Sequence, residues 1–63
     1  MTPYEIRIIR WGQQALIQTA SLMGDHAAIR RARNLAGEGN FVEVWRGPAR
    51  IYSTLPKHAL APG

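Results

Sequence analysis

A chain of 63 residues without a single cysteine has to hold itself together by packing alone. No disulfide can restrict its unfolded state, and no thiolate can recruit a structural metal. One domain is the most that such a length accommodates. A chain this short buries only about 60% of its unfolded surface on folding. The common remedy left to so small a core is association with further copies. A homo-oligomer, in its simplest form a homodimer, is therefore expected.

The hydrophobic pattern changes period along the chain. In residues 4–11, Tyr4, Ile6 and Ile8 alternate with Glu5, Arg7 and Ile9, which predicts a strand. Gly12-Gln13-Gln14 makes a turn, and residues 15–22 form a second strand paired back on the first. Asp25 is placed to cap a helix over residues 26–36, where Ala28, Ile29, Ala32, Leu35 and Ala36 make one apolar stripe. Gly37 or Gly39 supplies the left-handed residue that ends it. Residues 41–46 and 49–55 read as a strand pair about the Gly47-Pro48 turn, with Pro56 as the stop.

The order ββαββ predicts an α+β fold: an antiparallel four-stranded sheet with one helix packed on one face. Residues 1–56 make the single domain and residues 57–63 a flexible tail. Ile6, Ile8, Ile29, Leu35, Val42, Val44 and Ile51 are the candidate core.

One resemblance follows from these residues. The run Asp25-His26-Ala27-Ala28-Ile29-Arg30-Arg31-Ala32 leads into Val42-Glu43-Val44-Trp45-Arg46-Gly47 and Arg50. It resembles a group of short uncharacterised bacterial proteins of alphaproteobacterial type. These have a Tyr-led strand pair, an acid-capped helix and a closing hairpin. The resemblance implies the ββαββ fold and no activity. This helix is more basic than its counterparts and starts with one acid where they carry several.

Two surfaces carry functional expectations. If Val42 and Val44 face the helix, Phe41 and Trp45 face the other way, and the same alternation adds Trp11 and Tyr52. An uncovered face with this much apolar area exceeds what monomers tolerate. Trp11, Phe41, Trp45 and Tyr52 are accordingly the candidate oligomer or partner interface. In the alternative reading the aromatics stack bases while Arg7, Arg46 and Arg50 meet phosphates. The second surface is the helix. Seven of the 8 basic residues are Arg, the formal net charge is +4, and Arg30, Arg31 and Arg33 lie close together. With Arg50 they are the candidate nucleic-acid contacts. Arg30, Arg31 and Arg33 do not share one face, so they form no single docking stripe.

No catalytic constellation emerges. Glu5, Asp25, Glu38 and Glu43 form no evident acid–base pair, and His26 and His58 are too few for a metal site. Ser21, Ser53 and Thr54 have no histidine partner. The chain is expected to be non-enzymatic, without cofactor or metal. No apolar run approaches the roughly 20 residues of a spanning helix, and no secretory leader is visible. A cytoplasmic protein without membrane contact is the expectation.

Overall fold

The structure, a computed structural model, describes residues 1–10 and 12–54. Its elements are β1 (Thr2–Ile9), β2 (Leu16–Leu22), α1 (Asp25–Ala36), β3 (Phe41–Arg46) and β4 (Ala49–Ser53). The four strands make one antiparallel sheet in the order β2-β1-β3-β4, with a single helix, so the fold is α+β of the ββαββ type. β2 and β3 flank β1, and α1 carries the chain across β1 from one to the other. Trp11 and the tail over residues 57–63 lie outside the described residues.

The helix side of the sheet is the core. Tyr4, Ile6 and Ile8 of β1 lie beside Val42 and Val44 of β3, with Ile6 opposite Val44 and Ile8 opposite Val42. Ala28 and Ala32 of α1 close over them and are fully covered. Their small size lets the helix approach the sheet closely. Leu22, Leu35, Ala36, Ile51 and Tyr52 pack around this centre while staying partly exposed. Ile29 and Leu35 are therefore flank residues of the helix, and the alanines of the stripe hold its middle.

β1 begins two residues earlier than the alternation suggests and ends at Ile9. Pro3 fits because β3 pairs with β1 only from Glu5 onward, so β1 has a single neighbour there. β4 ends at Ser53, although Thr54 still bonds across to Val42, its amide to the carbonyl at 2.9 Å and its hydroxyl accepting from the Val42 amide at 2.8 Å. Gly12 at φ 75°, Gly39 at φ 88° and Gly47 at φ 59° take the left-handed conformation in the connections. Gly37, by contrast, stays right-handed at φ −63°.

The helix start corrects a sequence expectation. Asp25 is the first helical residue and not the cap; Gly24 precedes it, and no side chain caps the free amides. The Asp25 carboxylate is engaged elsewhere. It accepts from the Tyr4 hydroxyl at 2.6 Å and from Arg46 Nη1 at 2.6 Å. Asp25 thus ties the start of α1 to β1 and to the end of β3. At the other end, the buried Asn40 donates to the Leu35 carbonyl at 2.9 Å and accepts from Arg10 Nε at 2.6 Å. This satisfies one of the carbonyls that a helix leaves unpaired at its C-terminus.

The Tyr4–Asp25–Arg46 cluster has a pH signature. Hydrogen bonding from Tyr4, and then from Arg46, holds the Asp25 carboxyl below its ordinary value of 3.8. The same Asp25 bond raises the Tyr4 hydroxyl above its usual range. A depressed folded-state carboxyl stabilises the fold fully above its ordinary value, and that contribution is lost as the pH falls below it. Denaturant midpoints measured from pH 7 down to pH 2 should fall more steeply for the natural protein than for Asp25→Asn. Parallel curves would show that the cluster contributes nothing.

Candidate functional site

The side of the sheet away from α1 carries Glu5, Arg7 and Ile9 of β1, Ile17, Thr19 and Ser21 of β2, Phe41, Glu43 and Trp45 of β3, and Arg50 and Ser53 of β4. Phe41 and Trp45 are on this face, as the alternation of β3 requires. They are not bare. The Arg7 guanidinium carbon sits 4.5 Å from the centroid of the Trp45 ring, a cation–π contact. Arg7 Nε also donates to Glu5 at 2.6 Å. Arg50 Nη1 donates to Glu43 at 3.0 Å, and the Trp45 indole N–H reaches the other Glu43 oxygen at 3.4 Å. Glu43 is only 8% exposed. Arg7 and Glu43 therefore cover part of the Trp45 ring within one chain.

Tyr52 does not belong to this face. It lies opposite Val44, on the helix side, and packs against the core. The cause is a register shift at Val44/Trp45, which inserts an extra residue into β4 and breaks simple alternation along the hairpin. Trp11, the fourth residue of the expected interface, lies outside the described residues.

The exposed apolar area sits on β2 instead. Apart from Met1 and Met23, the exposed large hydrophobics among the described residues are Leu16 at 60% and Ile17 at 55%. β2 is an edge strand, and every residue from Leu16 to Thr19 is exposed. On the helix side the C-terminal part of α1 and β2 leave an open groove of about 400 Å³ between them, lined by Ile8, Arg10, Leu16, Gln18, Leu35 and Asn40. The helix seats on the sheet through Ala28 and Ala32, with Leu22 at the end of β2 packed against the same core, and leaves Leu16–Thr19 at the start of β2 exposed.

The charges segregate. Three arginines meet carboxylates: Arg7 with Glu5, Arg46 with Asp25 and Arg50 with Glu43. Among the described residues these three pairs leave Arg10, Arg30, Arg31 and Arg33 against Glu38, in a chain whose formal net charge is +4. Arg30, Arg31 and Arg33 are exposed. Arg30 and Arg33 line, with His26 and Ile29, a shallow concavity of about 440 Å³ on α1, from which Arg31 is absent. Arg50 is far from this set in its bonding, being held by Glu43 on the sheet. No group of three or more His, Asp or Glu side chains converges among the described residues. No helix among them is long and apolar enough to cross a membrane.

Two features of this layout escape a reading by residue type. The Tyr4–Asp25–Arg46 cluster joins residues 21 positions apart on either side of Asp25. The signal for β2 was present, since Leu16–Leu22 holds no charge and no proline, but nothing local marks it as an edge.

The fold and surface define a class: a small open-faced antiparallel sheet with one helix and an exposed, uncharged edge. Family models, curated proteins and solved structures all give no match to the chain.

Proposed function

We propose that this is a small, non-enzymatic, homo-oligomeric interaction protein, acting in the cytoplasm, whose association surface is the uncovered β2 side of the sheet. The observation that carries the reading is the pair Leu16 and Ile17, each more than half exposed at the start of an edge strand. Isolated exposed apolar residues are ordinary, but Leu16 beside the helix-side groove and Ile17 on the opposite side leave both sides of this edge strand apolar at its start. On the open side, Trp45 is partly covered within the chain, by the Arg7 guanidinium on its ring and Glu43 at its indole N–H. Light scattering on the purified protein at moderate salt tests the reading. The expected mass is two chains; a mass of one chain across the micromolar to millimolar range rejects it.

A second reading has its own observation, the concentration of unpaired positive charge on α1. In this reading Arg30 and Arg33 meet the phosphates of nucleic acid, with Arg31 contributing at longer range. Arg50, the fourth candidate, lies on β4 and is paired with Glu43. Affinity for a 20-base-pair duplex would then fall steeply with salt. Arg30→Gln and Arg33→Gln would each reduce the salt slope by about one and leave the fold intact. Salt-independent or absent binding rejects this reading.

A further inference from the structure

The two edges of the sheet are built differently. β4 has five residues, follows Gly47-Pro48, carries Arg50 and is bent by the register shift against β3. Short length, charge and irregularity are the usual means by which an edge strand is kept from pairing with another chain. β2 has none of them. It runs for seven residues, Leu16-Ile-Gln-Thr-Ala-Ser-Leu22, without charge or proline. Its pairing with β1 is regular from Leu16 opposite Ile8 to Leu22 opposite Thr2. Its outer row of backbone amides and carbonyls is thus straight, continuous and free of any charged side chain.

We propose that β2 pairs antiparallel with β2 of a second copy about a two-fold axis through Thr19, joining two sheets into one of eight strands. This rests on the homo-oligomeric reading above and names the surface and the register. The register follows from the pleat. Residues directly opposite in an antiparallel pair project from the same face. A two-fold axis must therefore pass through a residue and not between two. Of the residues in β2, Thr19 is its midpoint, and only an axis there pairs all seven positions.

The resulting pairs are compatible. Leu16 meets Leu22 of the other copy and Gln18 meets Ala20 on the helix side, while Ile17 meets Ser21 and Thr19 meets itself on the open side. The Thr–Thr pair is a favourable cross-strand combination. An axis normal to the sheet keeps both helices on one side, so neither obstructs the approach. The net charge also stays clear of the seam, because β2 has none and Arg7 on β1 is paired with Glu5. A charged peptide would find nothing on β2 to select it, whereas a second β2 matches in length, polarity and apolar content.

The absence of native cysteine makes the register directly readable. On the axis, Cβ atoms of opposed residues lie about 4.5–5.5 Å apart, close to disulfide reach. Thr19→Cys, oxidised in dilute solution, should convert most of the full-length protein to a covalent dimer. Ile17→Cys and Ser21→Cys should each form no covalent dimer alone and cross-link when mixed. Ile17→Lys, at a side chain already exposed, should raise the dimer dissociation constant at least tenfold with an unchanged circular dichroism spectrum.

A two-chain mass without Thr19→Cys cross-linking, or with Ile17→Lys still fully dimeric, overturns the β2 seam and leaves the homo-oligomeric reading standing. A single-chain mass for the natural protein at all concentrations overturns both.

Discussion

Ile6→Ala should lower the unfolding free energy by about 3–4 kcal/mol, within the range for a large-to-small change in a closed core. Ile6 is fully buried at the centre of β1, between Gln18 of β2 and Val44 of β3. Removing its side chain leaves a cavity walled by strands on both sides and roofed by α1, where little can collapse inward. A domain of this size commands about 5 kcal/mol or a little more, so the variant should keep only about 1–2 kcal/mol and melt at a much lower temperature. Urea denaturation followed by circular dichroism measures the loss. Ile17→Ala is the informative companion, because Ile17 is 55% exposed within one chain. Measured at concentrations where only single chains are present, it should fall within about 0.5 kcal/mol of the natural protein. A small effect at Ile6 would place the core elsewhere.

The second large effect is expected from Ala32→Leu. Ala32, like Ala28, is fully covered where α1 meets the sheet. Leucine there cannot enter without pushing the helix away from Val42 and Val44, a displacement that costs about 1–3 kcal/mol. The Tyr4–Asp25–Arg46 cluster fixes the start of the helix, so the strain would fall on that anchor as well. A variant as stable as the natural protein would show that the helix does not sit as close as these alanines imply.

These two positions illustrate how far local pattern reaches. Ile6 belongs to the core by alternation alone. Ala32 lies in the apolar stripe, yet its small side chain gives no sign that it, and not Ile29 or Leu35, occupies the middle of the contact. The difference is one of distance between layers, which depends on both surfaces at once. Asp25 shows the same limit: its type and place before a helical run suit a cap, but Tyr4 and Arg46 compete for its carboxylate from strands remote in sequence. Tyr52 shows it again, since a single irregularity in the β3–β4 hairpin moves it from the open side to the helix side.

The order of the elements, the alternation of β1 and β3, the helical stripe and the excess of arginine are all written locally, because each depends on residues a few positions apart. The order β2-β1-β3-β4 is not, since it depends on which strands α1 can bridge. That order makes β2 an edge and places Arg7 over Trp45 and Glu43 beside Arg50, while the helix arginines meet no acid among the described residues. A seven-residue stretch free of charge reads as an ordinary inner strand in one dimension. Only its position at the rim of the sheet, with no strand on its outer side among the described residues, sets it apart.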